Sequence, residues 1–184
     1  MRKIIVQEMM TVDGFFAGPN GEIDWHVVGP EFNEYAIGML NTIDTFLFGR
    51  VTYDLMASYW PTPEAIKNDP IVAEKMNSLA KVVFSKTVQK AEWNNSTMFG
   101  EIVPADIMKM KQAAGKDIAI FGSGTIVSTL TDLGLIDEYR LIVNPVILGK
   151  GKSLFATLEK SRKLKLQNTK PFLSGNVLLY YSPA

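Results

Sequence analysis

Residues Asp117 to Leu130 read DIAIFGSGTIVSTL. Ile118, Ile120 and Phe121 form a short apolar run of the kind that becomes a buried strand, the glycines of Gly122-Ser123-Gly124 break it, and from Thr125 onward Ile126, Val127 and Leu130 fall at helical spacing. A strand, a glycine turn and a helix start make a natural seat for a phosphate. The first amides of a helix lack internal acceptors and carry the positive end of its dipole, and glycine lets an anion approach the backbone closely. The motif is shorter than the G-x-G-x-x-G dinucleotide fingerprint, so a plain strand-to-helix turn fits it as well as a phosphate seat does.

The rest of the composition narrows the classes of function. With 184 residues, the chain has the length of one domain, since single domains commonly run to roughly 100 to 200 residues. Its 19 basic and 19 acidic side chains cancel, which leaves no global field to gather nucleic acid or an anionic membrane; any anion has to be held locally. There is no cysteine and a single histidine, His26, so disulfides, thiolate nucleophiles, cysteine-held zinc and multi-histidine metal centres are excluded. Gln7 and Glu8 interrupt the apolar run near the start, which matches neither a secretory segment nor a membrane span. A cytoplasmic protein acting on a small molecule, without a metal, is the expectation.

Outward from the glycine turn, strands and helices alternate. Lys3 to Met10 reads as a first strand, followed by a glycine-rich loop from Asp13 to Trp25 and a helix from Pro30 to Asn41. Thr45 to Phe48 reads as a strand and Val51 to Ser58 as a helix that the Trp60-Pro61-Thr62-Pro63 segment stops. Val72 to Leu79 reads as a helix, Lys81 to Ser85 as a β-branched strand, and Pro104 to Ala114 as a helix with proline in its first turn and Gly115 beyond its end. Glu138 to Leu148, Lys163 to Thr169 and Val177 to Tyr181 read as three closing strands. The pattern predicts an α/β sandwich over residues 1 to 184, with a mainly parallel sheet and an antiparallel C-terminal portion.

In such sheets ligands sit at the carboxyl ends of strands, so the segments beginning at Gly49, Ser85 and Gly122 are expected to meet at one cleft. Gly49-Arg50-Val51-Thr52 places a forked guanidinium and a hydroxyl at a helix start, suited to phosphate oxygens. Ser85-Lys86-Thr87 places hydroxyls around an ammonium. Three anion-compatible loops suit an extended ligand with several phosphates better than a lone metabolite.

The motifs TVDGFFAGPNGEIDW (11–25), LFGRVTYDLM (47–56), KVVFSKT (81–87) and FGSGTIVSTLTDLGLIDEYRLIVNPVILGKGKSLF (121–155) give the chain a family resemblance. It resembles the dihydrofolate reductase-like superfamily, and most closely the reductase domain at the C-terminal end of the bifunctional riboflavin-biosynthesis deaminase-reductase, with its stand-alone relatives. The resemblance runs from Ile4 to Tyr181 and implies the three-layer α/β/α sandwich of that superfamily, NADPH binding and hydride transfer. By this resemblance Gly122, Ser123, Gly124, Thr125 and Ile126 receive the cofactor's pyrophosphate and adjacent ribose. Gly49, Arg50 and Thr52 match the second phosphate-binding helix start, Ser85 and Lys86 the adenosine ribose and its extra phosphate, and Met9, Phe16 and Ala17 the walls around the nicotinamide.

On the substrate side the same resemblance points to Asp13, Trp25 and Glu34. Asp13 belongs to the family's S/T-x-D-G element and either organises its loop or touches substrate; Asp13 and Glu34 are the candidate catalytic carboxylates. Dihydrofolate reductases carry a carboxylate on the helix after the first loop, whereas this chain has Asn33 close to the matching position, between Glu31 and Glu34. His26 is an alternative proton donor near neutral pH. With no H-x-E and P-C-x-x-C signature, a deaminase step is not expected. The implied activity is reduction of a small heterocyclic or carbonyl compound, led by 5-amino-6-(5-phosphoribosylamino)uracil; a dihydrofolate or pterin reductase and a non-catalytic NADPH-binding protein are the alternatives. Tyr139 to Leu148 and Gly149-Lys150-Gly151 resemble parts that pack homodimers in related reductases, with Leu141, Val143 and Val146 equally suited to a core strand.

Overall fold

The computed structural model describes residues 1–88 and 90–184. Its centre is a sheet whose strands are β1 (Ile4–Thr11), β3 (Ile43–Gly49), β4 (Ala80–Phe84), β5 (Ser96–Phe99), β6 (Asp117–Phe121), β7 (Glu138–Asn144), β9 (Leu164–Pro171) and β10 (Val177–Pro183), in the spatial order β5-β4-β3-β6-β1-β7-β10-β9. The pairs from β5 across to β7 are parallel, and β10 runs antiparallel to both β7 and β9. A separate ribbon pairs β2 (Phe15–Ala17) with β8 (Lys152–Ser153).

Side chains alternate across the sheet, as the two-residue period of a strand requires. Ile4 and Val6 of β1, Leu47 of β3, and Ile118 and Ile120 of β6 pack beneath α5 (Pro104–Gln112) and α6 (Gly124–Asp132), which contribute Ile107, Ile126, Val127 and Leu130. On the other face Ile5, Phe46, Phe48 and Ala119 pack against α1 (Pro30–Thr42), α2 (Arg50–Tyr59) and α4 (Pro70–Ser78) through Met39, Leu40, Tyr53 and Met76. The result is a three-layer α/β/α sandwich. Near-continuous apolar runs such as Phe46-Leu47-Phe48 of β3 and Ile118 to Phe121 of β6 are what a sheet covered on both faces needs.

The connections create a switch point. The helix after β3, α2, lies on one face of the sheet, while the helix after the neighbouring β6, α6, lies on the other. A crevice therefore opens between the carboxyl ends of β3 and β6, at Gly49 and Gly122, where ligands of open α/β sheets bind.

Several boundaries differ from the sequence reading. The Trp60–Pro63 segment does end α2, but Thr62 then starts α3 (Pro63–Asn68): its Oγ1 accepts from the Ala65 amide at 3.2 Å and Pro63 occupies the first turn. The strand expected up to Leu148 stops at Asn144, because Pro145 has no amide and the chain turns there through a Val146 N–H to Asn144 carbonyl bond of 2.8 Å. β7 is an interior strand, flanked by β1 and β10, and Leu141 packs on the main core.

Asp137, just before β7, ties three elements together. Its Oδ2 accepts from Lys111 Nζ of α5 and from the Ile4 amide, both at 2.7 Å, and Lys111 is only 4 % exposed. Asp137 is about a third exposed and Lys111 keeps the Leu135 carbonyl at 3.1 Å, so removing the carboxylate leaves the buried ammonium underpaired at a cost on the order of 1 to 2 kcal/mol. Asp137→Ala is expected to lower urea-unfolding stability by about that amount, and Lys111→Met with Asp137→Ala to recover most of it; a single mutant as stable as the parent would contradict this role.

Candidate active site

A single hydroxyl joins the two turns at the switch point. Ser123 Oγ accepts the Gly49 amide at 2.7 Å and donates to Thr52 Oγ1 at 2.9 Å, linking the β3–α2 turn to the β6–α6 turn. To do so Ser123 adopts a left-handed backbone, φ 66°, which costs a residue with a side chain about 1 kcal/mol or more. Gly122 has the same sign of φ, and a Cβ there would sit 3.0 Å from Thr52 Oγ1 and Cγ2. A Cβ on Gly124 would sit 3.1 Å from the Leu154 carbonyl oxygen and 3.3 Å from Phe16. Gly122 is thus favoured by conformation and by tight packing, and Gly124 by tight packing alone.

The helix starts stay open. α6 begins one residue earlier than its sequence suggests, at Gly124, with Ser123 in the cap position and its hydroxyl turned to Thr52 rather than to the helix. The first amides of α6, at Gly124, Thr125 and Ile126, consequently have no side-chain cap. α2 begins after Gly49, also without a side-chain cap, and Arg50 pairs with Asp54 at 2.8 Å on an exposed surface. Such a pair is weak and leaves the guanidinium available to a stronger anion.

Around these turns lies a cleft of about 1270 Å³. Met9, Phe16, Ala17, Gly49, Arg50, Thr52, Ser85, Lys86 and the run Gly122 to Ile126 all line it, so the three loops expected to converge do meet. Its volume exceeds the roughly 300 to 1,000 Å³ of a cleft for one drug-sized molecule and has room for a dinucleotide beside a substrate. Ser85 spends its hydroxyl on the loop, accepting from the amides of Thr87 at 3.3 Å and Val88 at 2.9 Å, while the exposed Lys86 ammonium is held by no protein acceptor among the described residues.

The three substrate-side candidates lie elsewhere. Asp13 is outside the cleft wall; its carboxylate accepts the amides of Gly149 at 2.7 Å and Leu148 at 3.2 Å, which identifies it as the organiser of its loop. Hydrogen bonding, led by Thr11, holds its carboxyl below the usual aspartate range. Glu34 is exposed and points away, and the residues of α1 on the cleft are Phe32, Asn33, Ala36 and Leu40. Trp25 packs on the cluster of Met9, Ile142, Phe172 and Leu178, its Nε1 donates to the Glu22 carbonyl at 3.1 Å, and it stands behind the lining with its ring edge-on to His26.

His26 does reach the cleft, because Val27 beside it is clamped: the Asn144 Oδ1 accepts the Val27 amide at 2.9 Å and the Asn176 Nδ2 donates to the Val27 carbonyl at 2.7 Å. Burial pushes the imidazole down to about 4, so it is neutral at pH 7 and is no proton donor in its resting form. Sequence reading also passed over Glu8. It lies on β1, lines the cleft beside Gly122, is 7 % exposed, and its Oε2 has no hydrogen-bond partner among the described residues. Burial raises its pKa to about 8, opposed by the facing amides of Gly122 and Met9. A charged carboxylate behind Gly122 would repel an anion in the turn; the neutral acid does not. Its one visible signal is a glutamate inside an otherwise apolar strand, which reads in sequence only as an interruption.

This architecture, a mainly parallel sheet with antiparallel C-terminal strands between two helical layers, is the dihydrofolate reductase-like fold. Residues 2–178 match the family model of the RibD C-terminal domain, and the chain belongs to that family. It is 37 % identical over 182 residues to the uncharacterized protein YyaP of Bacillus subtilis (strain 168), covering 98 % of this chain and 94 % of the relative. Among solved structures it is similar to a diaminohydroxyphosphoribosylaminopyrimidine deaminase/5-amino-6-(5-phosphoribosylamino)uracil reductase of Thermotoga maritima, with a TM-score of 0.69 and 14 % identity over all of this chain and 57 % of that one. It is also similar to dihydrofolate reductase of Enterococcus faecalis, solved with NADP(H), with a TM-score of 0.67 and 16 % identity over 98 % of this chain and 96 % of that one. At such identities the two structures establish a shared fold. No helix among the described residues is long and apolar enough to cross a membrane, and they contain no cluster of metal-ligating side chains.

The buried acid and the buried imidazole give opposite pH signatures. Glu8 keeps its proton when folded up to about pH 8 but loses it near 4.5 when unfolded, so its stabilisation is complete below 4.5 and is lost as pH rises through 8. His26, at about 4 folded and 6.5 unfolded, contributes stability that is present above 6.5 and lost as pH falls through 4. Between pH 6.5 and 8 Glu8 alone of the two sets a slope. Glu8→Gln is expected to flatten the fall in unfolding free energy across that window relative to the parent; an identical slope in both proteins would show that Glu8 is not protonated.

Proposed function

We propose that the protein is an NADPH-dependent reductase that delivers a hydride to a small heterocyclic or carbonyl acceptor. The observation that carries this reading is the pair of uncapped helix starts, α2 and α6, held at one cleft by Ser123 and lined by glycines where a Cβ would meet its neighbours at 3.0 to 3.1 Å. Amides so placed suit the pyrophosphate of a dinucleotide, with Arg50 and Thr52 at one side and Gly122 to Ile126 at the other. Lys86, exposed at the rim, suits the additional ribose phosphate that distinguishes NADPH from NADH.

Met9, Phe16 and Ala17 would hold the nicotinamide. When bound, it supplies the hydride; the protein supplies orientation and a wall that excludes water. Phe16 packs across Gly124, so the same ring closes the turn and borders the reacting end. The family that the chain belongs to favours 5-amino-6-(5-phosphoribosylamino)uracil as the acceptor. A pterin acceptor is less well supported, since α1 presents Asn33 and Ala36 to the cleft and keeps Glu34 outside it. A homodimer accompanies this reading, and light scattering that returns the 20.4 kDa of one chain would remove it.

The cofactor placement is tested with three substitutions. Gly124→Asp puts a charge and a Cβ into the turn, and Thr125→Asp puts a charge at an exposed helix-start residue, where an acidic side chain favours the helix by about 0.3 to 1 kcal/mol. Thr125→Asp should therefore keep or raise the melting temperature while weakening NADPH binding, followed by its fluorescence, at least tenfold. Lys86→Ala should weaken NADPH several-fold and leave NADH unaffected. NADPH binding that survives both aspartates would place the cofactor elsewhere.

A further inference from the structure

Gln7 lies on β1 opposite Phe121 of β6, on the sheet face that carries α1, and both residues line the cleft. An amide side chain in a wall of Phe32, Phe121 and Met9 has to be held, and Tyr35 of α1 holds it: the Tyr35 Oη donates to Gln7 Oε1 at 2.8 Å. The bond runs from the phenol proton to the amide oxygen, and the positive charge of Arg140 of β7 acts on the phenol from the side away from the cleft. Arg140 is in turn fixed by Glu138, whose Oε1 accepts its Nε at 2.6 Å. Burial raises the Tyr35 hydroxyl well above its usual range, which keeps the donor proton in place.

Oε1 of Gln7 is thereby committed inward, and its Nε2, with two hydrogens, is bonded by no acceptor among the described residues. We infer that Gln7, oriented through Glu138, Arg140 and Tyr35, is the substrate-reading donor of this cleft, and that it selects a neutral heterocycle offering a lactam carbonyl or an unprotonated ring nitrogen. This rests on the reductase reading and deepens it by naming the side chain that reads the substrate. A site with a fixed donor discriminates strongly against a partner that has no acceptor to give, because the buried amide would be left unpaired. An amidinium edge presents only donors, and α1 offers it Asn33 in place of a carboxylate. Two carboxyl groups also line the cleft: Glu8, turned to Gly122 and kept neutral by burial, and Asp69, where α3 meets α4, which is the one to exclude as the source of any selection.

The test uses two small probes on the whole chain saturated with NADPH: uracil, which presents lactam carbonyls, and 2,4-diaminopyrimidine at a pH where it is a cation. Calorimetry is expected to show uracil bound at least tenfold more tightly by the parent, the order inverted in Gln7→Glu, and the preference lost in Gln7→Leu. Tyr35→Phe, which keeps the ring but frees the amide to flip, should weaken uracil several-fold, and Asp69→Asn should leave the preference in place. A parent that binds NADPH yet shows no preference, or a preference that vanishes in Asp69→Asn and persists in Gln7→Leu, overturns the Gln7 assignment while the reductase reading stands. A parent that does not bind NADPH overturns both. Melting temperatures of the variants separate a lost contact from a lost fold.

Discussion

The Ser123 hydroxyl is the constraint on which the cleft depends. One oxygen accepts from the amide that starts α2 and donates to a threonine one turn into the same helix, while its own backbone is bent into the left-handed region at the start of α6. The two helices lie on opposite faces of the sheet, so no shared hydrophobic surface would register their N-termini against each other. Two hydrogen bonds, each worth about 1 kcal/mol, offset the strained backbone and bring both helix starts to one crevice.

β1 divides the chemistry of that crevice between its faces. Gln7 looks toward α1 and is kept a donor by the phenol behind it; Glu8, the next residue, looks toward Gly122 and is kept neutral by burial. Neighbours on a strand point to opposite faces, so a single dipeptide equips both the substrate side and the turn side of the cleft with uncharged polar groups. A neutral acid behind the turn keeps negative charge away from the site best suited to phosphate. A fixed amide on the other side reads a partner without demanding that it be charged.

Much of this was legible in the sequence, for local reasons. The apolar runs at 43–48, 80–84 and 117–121 each end at a glycine, serine or helix start, and strand and helix periodicity located the elements within a few residues. The convergence of Gly49, Ser85 and Gly122 followed from the parallel order alone. Short elements escaped: β2 and β8 make a ribbon of three and two residues whose partner lies far along the chain, and α3 opens on Pro63, the last residue of the segment that reads as a breaker. Asp13 and Glu34 were selected as carboxylates in a matching stretch, but the loop amides at Leu148 and Gly149 claim the first and an exposed helix face the second. Gln7 and Glu8 were missed because their roles come from Tyr35, Arg140 and Gly122, distant in sequence and adjacent only once the sheet is formed.

The most direct measurement is a crystal structure of the protein grown with NADP⁺. Density for the pyrophosphate over the amides of Gly124 to Ile126, with the nicotinamide against Met9 and Phe16, is the expected result. Density for the dinucleotide outside the crevice between β3 and β6, or none at saturating concentration, would contradict the assignment of this cleft.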